Sequence, residues 1–317
     1  MAGTLAPPRW VRHIPRMTQP ISKSMVVLGL GYAGAAVARA AMAAGFTLAA
    51  TRRALQPGEA PAGVALLPFA EAGPAIAAAT HLLVTAGPDT AGEDPVLATH
   101  REALRAATGL RWVGYISTTG VYGDRGGGWV DEATPPSPRQ ERSRRRLRVE
   151  EAWAAALAGS GAALDIFRTA GIYGPGRSAL DDLRAGAARR VDKRDHLFSR
   201  IHRDDIAAAV VAAALNPPAP GGAPRILHLA DDEPATSAAV TEEAARLLGM
   251  APPPLVPFAE AFASMSPMGR SFWAENRRVG NAATKAALGL AWRFPSYREG
   301  LRAILAEETC QHGTDRA

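Results

Sequence analysis

Three glycines in Gly29-Leu30-Gly31-Tyr32-Ala33-Gly34 stand at the spacing of a turn that can receive a phosphate. The flanks give that spacing its meaning. Met25-Val26-Val27-Leu28 is a short apolar run of the buried-strand kind, and Ala35 to Ala44 is dominated by strong helix formers, with Gly45 where a helix would stop. In a strand, turn and helix of this type, Gly29 permits the reversal and Gly34 lets the helix pack close to the strand. Gly31 lets a pyrophosphate reach the main chain, beneath the first helical N–H groups around Tyr32, Ala33 and Gly34. A glycine turn without a ligand is the plain alternative, and agreement on both flanks argues against it. The next strand candidate, Phe46 to Ala50, runs into Thr51-Arg52-Arg53, with no acid for ribose hydroxyls. An Arg fork there matches a 2′-phosphate, so NADP is expected over NAD, with Arg52 or Arg53 as its reader. Two solvated surface arginines are the competing explanation.

The elements that must position these residues alternate along the chain. Strand-like segments fall near Val64 to Leu67, His81 to Thr85, Arg111 to Ser117 and Ala163 to Arg168. Helix-like segments fall near Ala75 to Ala79, Pro95 to Ala107 and Ala152 to Ala158, the last continuing an arginine-rich stretch. Such alternation predicts an α/β fold, a Rossmann-type doubly wound parallel sheet. Thr85, Ala86 and Gly87, just after the fourth strand, are expected beside the cofactor. Periodicity fades after Pro175, and Pro217 to Gly222 reads as a linker, which suits a smaller C-terminal substrate lobe. The expected division is a disordered extension over 1–24, a cofactor-binding domain over 25–175, a substrate lobe over 176–305 interleaved with the last Rossmann elements, and a tail over 306–317. The first segment carries four prolines and four basic residues, either a targeting-like stretch or the product of a start codon assigned too early.

Composition narrows the class. With 47% hydrophobic and 21% charged residues over 317 positions, the chain can bury a substantial core. Its single cysteine, Cys310, excludes an intrachain disulfide framework, and the scattered histidines give no metal-ligand spacing. No apolar run reaches membrane-spanning length, and a cytoplasmic protein is expected. The net charge of +6 raises the question of nucleic acid. Six arginines lie between Arg139 and Arg148, but no aromatic platform accompanies them, so most read as the solvated side of a helix. No nucleic-acid or membrane partner is expected; the partner is a small-molecule substrate.

Several ordered motifs carry a family resemblance. Tyr115-Ile116-Ser117-Thr118-Thr119-Gly120-Val121-Tyr122-Gly123 is followed by Val130-Asp131-Glu132 and by Pro135 to Pro138. Arg168-Thr169-Ala170-Gly171-Ile172-Tyr173-Gly174-Pro175-Gly176, Ile201-His202-Arg203-Asp204-Asp205, Leu288-Gly289-Leu290 and Pro295 to Gly300 complete the series. From Met25 to about Leu305 the chain resembles an atypical branch of the extended short-chain dehydrogenase/reductases, the NAD-dependent epimerase/dehydratase family. The resemblance implies that Thr118 hydrogen-bonds the substrate oxygen that gains or loses a hydride. It also implies that Gly171, Ile172 and Tyr173 form a cofactor wall, and that helices near 95–107 and 142–158 pair two copies into a homodimer.

The chain departs from the family at the reaction centre. The family's catalytic Tyr and the Lys four residues on are replaced by Arg142 and Arg146, placed by matching Glu150 to the family's acid four residues after its Lys. Arg stays protonated and cannot act as a general base. Arg146 can still bind the nicotinamide ribose, and Arg142 can hold an anionic substrate or a developing oxyanion. The Asp-Glu pair of the dehydratases is replaced by Thr119-Gly120, which argues against dehydration. Tyr122, Tyr173, Asp124 and His202 are the nearest substitutes for a proton carrier, each with a structural explanation of its own. His202 with Asp205 is expected to cap a helix; Phe262, Phe272, Trp273 and Arg277 either line a substrate pocket or pack the second lobe, with packing preferred. The expected function is an NAD(P)-dependent oxidoreductase or epimerase-like enzyme acting on a small polar, anionic or sugar-like metabolite. The alternative is an NADP-binding sensor with little turnover.

Overall fold

Met25 and Val27 turn to one face of the first strand and Val26 and Leu28 to the other, and each pair enters a different hydrophobic core. That two-sided burial is what a central parallel strand requires. The computed structural model describes residues 23–54 and 60–314. Its main sheet has seven parallel strands: β1 (Ser24–Leu28), β2 (Thr47–Arg52), β3 (Val64–Pro68), β4 (His81–Val84), β5 (Trp112–Thr118), β7 (Ala163–Thr169) and β11 (Arg225–Leu229), in the order β11-β7-β5-β4-β1-β2-β3. Three short parallel pairs join β8 (Gly171–Tyr173) to β10 (Arg200–His202), β9 (Arg190–Asp192) to β12 (Leu255–Pro257), and β6 (Trp129–Val130) to β13 (Arg278–Val279). The resulting fold is Rossmann-type α/β, as the alternation predicts. The expected disordered extension falls almost wholly outside the described residues, and Ser24 already belongs to β1.

Helices α1 (Tyr32–Ala43) and α7 (Arg203–Leu215) cover one face, burying Val37, Ala41, Ile206 and Val210 against Met25, Val27 and Leu83. The other face is covered by α2 (Gly73–Ala78), α3 (Pro95–Thr99), α4 (Arg101–Ala106) and α5 (Glu141–Leu157), with Trp153 and Val149 of α5 packed in the core that contains Val113 and Tyr115. The single helix expected over 95–107 is divided at His100. That buried imidazole bonds the Phe69 carbonyl at 2.8 Å, a tertiary contact that overrides local helix propensity.

The second lobe contains α6 (Ala179–Arg184), α8 (Ser237–Leu247), α9 (Phe258–Ala263), α10 (Pro267–Trp273) and α12 (Tyr297–Thr314), while α11 (Ala282–Leu288) packs Leu288 against the α1/α7 core of the main sheet. Leu180, Leu183, Val240, Ala244, Tyr297, Leu301 and Ile304 form the lobe's own core. Interleaving is evident, since α7 and β11 return to the main sheet between lobe segments. The tail expected from residue 306 is instead the last part of α12, where Glu308 pairs with Arg184 at 2.7 Å. No helix of the described residues is long and apolar enough to cross a membrane.

Candidate active site

The strand order reverses between β1 and β4, and the ends of these two strands open a crevice at the topological switch point. The glycine turn lies there, and its three glycines have three different surroundings. Gly29 has φ of +110°, and a Cβ on it would lie 2.6 Å from Thr85 Oγ1. A Cβ on Gly34 would lie 2.7 Å from the Gly29 carbonyl oxygen. Gly31 meets nothing within 4 Å. Two glycines are therefore fixed by packing, while the third faces open space at the start of α1. The first-turn N–H groups of Tyr32, Ala33 and Gly34 point out of that helix end, a fit to an approaching pyrophosphate.

Thr51 ties β2 to the turn: its Oγ1 accepts from Gly29 N and its carbonyl accepts from Leu30 N. Arg52, at the end of β2, and the exposed Arg53 are thereby held beside the turn, where a 2′-phosphate reader must stand. Thr85 and Ala86 both donate their N–H to the Leu28 carbonyl, and the Thr85 hydroxyl donates to the Gly29 carbonyl. The Thr85 side chain thus braces the turn rather than reaching for a ribose. Gly87 lies under Arg146, whose Nη2 would be 2.9 Å from a Cβ there. Arg146 Nη1 donates to Tyr115 Oη and to the Ile116 carbonyl, both at 3.0 Å, so the guanidinium is fixed at the floor of the crevice.

A pocket of about 610 Å³ opens over the end of β5. Thr118, Arg142 and Arg146 all line it, so the structure brings the three predicted reaction-centre residues together. Ser143, which sequence reasoning missed, joins them. It is buried, and its Oγ would be 2.8 Å from a Cβ on Gly120, with Thr118 Oγ1 on the same glycine at 3.3 Å. Two hydroxyls thus flank a glycine whose lack of a side chain leaves them room. The signal was present as helical spacing, because 143, 146 and 150 share one face of α5. Of the four residues with two readings, Phe272, Trp273 and Arg277 line this pocket, Phe272 being 52% exposed, while Trp273 also packs against Phe198 and Phe258. The three sit on and after α10, a short helix at the mouth with too few residues to bury both faces.

Under the pocket lies a closed polar network. Ser117 donates to Glu150, and Glu150 accepts from Arg168 in a buried pair at 2.8 Å. Arg168 Nη1 donates to Tyr122 Oη at 2.8 Å, and Tyr122 is joined to His228 Nε2. His228 Nδ1 meets the Gly280 carbonyl at 2.7 Å, which requires a proton on Nδ1, so the Tyr122 hydroxyl donates to Nε2. Burial pushes the His228 imidazole below its usual range and the Tyr122 phenol above its own. Tyr122 is therefore a structural link between sheet and second lobe, with no proton to offer the pocket.

The other candidates for moving a proton are also engaged elsewhere. Tyr173 is buried in the second-lobe core, where its hydroxyl donates to the Ser296 carbonyl; of the proposed cofactor wall, Gly171 lines the pocket and Ile172 packs against the α1/α7 core. His202 caps α7, its Nδ1 accepting from Asp204 N, and burial holds it down at about 4. Asp205 accepts from Arg293 N and Phe294 N, and Asp124 from Asn276 N and Gly126 N. One further acid went unnoticed in the sequence. Asp231 is buried with neither carboxyl oxygen hydrogen-bonded among the described residues, and burial pushes it up to about 8 despite the Arg200 charge nearby. No cluster of His, Cys, Asp and Glu among the described residues could hold a metal.

No protein-family model and no curated protein matches the sequence. Solved structures do. A conserved protein of Silicibacter pomeroyi whose function is unknown is 39% identical over 90% of this chain and 99% of its own, with a TM-score of 0.80. A Methylobacillus flagellatus protein assigned to the NAD-dependent epimerase/dehydratases is 25% identical over 91% and 99% of the two chains, with a TM-score of 0.62. The human epimerase family protein SDR39U1, solved with NADPH, shares the fold at 18% identity over 89% and 98%, with a TM-score of 0.68. With its seven-stranded order, and with the glycine turn and the Thr118 pocket at the strand ends, the chain shares the Rossmann-type fold of these structures, NAD-dependent epimerase/dehydratase proteins among them.

Proposed function

We propose that this chain is an NADP-dependent oxidoreductase or epimerase-like enzyme acting on a small polar metabolite. The observation that carries this reading is the position of Arg146, which lines the pocket over Thr118 and stands over Gly87 just after β4, the strand that pairs with both β1 before the glycine turn and β5 before the pocket. A nicotinamide dinucleotide bound there supplies a hydride donor or acceptor. The first-turn N–H groups of α1 would hold its pyrophosphate, Arg52 or Arg53 a 2′-phosphate, and Arg146 the nicotinamide ribose. The NADPH in the SDR39U1 structure agrees with the phosphate-reading arginines of this chain.

On the substrate side, the hydroxyls of Thr118 and Ser143 orient an oxygen, and the arginines of the lining favour negative charge on it. The lining contains no Tyr, Lys or His, and Glu275 is its single acid. A proton exchanged at the substrate is then carried by water or by Glu275. That same lack of a proton carrier favours a second reading, a nucleotide-responsive protein with little turnover.

Calorimetric titration with NADPH and NADH tests the cofactor. Tight NADPH binding, weakened about tenfold or more by Arg52→Ala or Arg53→Ala, is the expected result. Absence of binding to either nucleotide would sink both readings. Turnover on a panel of ketones, sugars and sugar nucleotides then separates enzyme from sensor.

A further inference from the structure

Four arginines line the pocket, and three have one terminal nitrogen, Nη1, doubly engaged by the protein. Arg146 Nη1 donates to Tyr115 Oη and the Ile116 carbonyl, and Arg200 Nη1 to the carbonyls of Phe198 and Ala235. Arg277 Nη1 donates to the Gly123 carbonyl and to Glu275. Arg142 is held differently. Its Nε donates to Gln140 Oε1 at 3.0 Å, and its guanidinium carbon stands 4.3 Å from the Phe272 ring centroid. Neither Nη1 nor Nη2 makes a hydrogen bond among the described residues. The same Gln140 donates through Nε2 to the Ser271 carbonyl at 2.7 Å, so one amide fixes both the guanidinium and the end of α10.

A guanidinium oriented through Nε and its face, with both terminal nitrogens open, is a preorganised fork for two oxygens of one planar or tetrahedral anion. The Phe272 ring keeps water from one side, which strengthens a charge pair formed on the fork. Burial already makes the Arg142 charge less comfortable, and Arg277 nearby adds to the excess, only partly offset by Glu275. We infer that Arg142 is the substrate's oxyanion receptor: a carboxylate or phosphate seats on its two terminal nitrogens, at the α10 end of the pocket, with the reacting carbon toward Thr118 and Ser143. This deepens the proposed reading of the pocket as a substrate site and rests on it. The residue at the family's base position has then become a substrate anchor.

Calorimetry on the full chain in low-chloride buffer tests the assignment with malonate as the carboxylate probe, methylphosphonate as the phosphate probe and malonamide as the uncharged control. At least one oxyanion is expected to bind, and malonamide at least tenfold more weakly; whichever oxyanion binds more tightly identifies the source. Arg142→Gln should weaken the oxyanion tenfold or more and Arg142→Lys by an intermediate factor, since an ammonium cannot fork. Arg144→Gln, exposed on the same turn of α5, should stay within twofold. Thermal melts establish that each variant is folded. An Arg142→Gln protein that binds the oxyanions as wild type does, equal binding of malonamide, or a wild type that binds neither oxyanion would overturn the inference. Parallel NADPH titration keeps the two levels apart. NADPH affinity should be unchanged in Arg142→Gln, and failure of the wild type to bind NADPH would count against the oxidoreductase reading whatever the oxyanions do.

Discussion

The two ends of the crevice differ in how tightly neighbours dictate each residue. At the glycine turn, a side chain on Gly29 or Gly34 would collide with Thr85 Oγ1 or with the Gly29 carbonyl, so the fold itself demands glycine. At the amino end of α5, Arg142 is held by one nitrogen and by the Phe272 ring, and no neighbour crowds its terminal nitrogens, so packing dictates far less there. Between them, Ser117, Glu150, Arg168, Tyr122 and His228 form a buried network with every member engaged. Positions closed by packing are fixed by their neighbours, and the open position is the one that packing leaves free to vary.

Substitutions in the closed part should act on stability, and substitutions on open faces on ligands alone. The largest effect is expected for Glu150→Gln, which leaves the Arg168 charge buried without its partner. A loss of about 3–5 kcal/mol in urea unfolding is predicted, and a loss below about 1 kcal/mol would show the network to be ornamental. Gly34→Ala comes next, at about 1–3 kcal/mol, because the new methyl must displace the Gly29 carbonyl; an unshifted melting temperature would contradict the crowding.

Asp231 adds a pH dependence. Its folded pKa, raised to about 8 by burial, lies above the model-compound value of 3.8, so between these values the unfolded chain has released a proton that the folded one retains. Stability from this group is fully present below pH 3.8 and is lost as pH rises toward 8. Asp231→Asn should therefore unfold at higher urea than wild type at pH 8, with the gap closing by pH 4. A gap independent of pH would assign the effect to packing. The smallest stability effect is expected for Gly31→Ala, within about 0.5 kcal/mol of wild type, since its methyl enters open space. That variant should still bind NADPH about tenfold or more weakly, and unchanged binding would mean that the pyrophosphate does not approach Gly31.

Legibility in the sequence follows the same division. The glycine turn and the parallel alternation of strands and helices were readable because periodicity and crowded glycines leave marks in residue type, while Thr118, Arg142 and Arg146, placed by resemblance, line one pocket. The break at His100 was not readable, since it depends on a bond to Phe69 from a distant segment. Nor was the lobe assignment of Phe272, Trp273 and Arg277: an aromatic residue in a short helix has the same local pattern whether it packs a core or rims a pocket. The Asp231 environment had no local mark either, because burial of one acid depends on everything folded around it.

One contact sets the two ends of the crevice apart. Tyr32, the first residue of α1, donates its hydroxyl to the Pro175 carbonyl at 3.0 Å, and a Cβ on Gly174 would lie 2.6 Å from the Tyr32 Oη. Arg177 and Arg203 both face the Tyr32 ring. The phenol thus rivets the start of α1 to the loop after β8 by a hydrogen bond and two stacked cations, whereas at the α10 end Phe272 meets Arg142 through its ring face alone.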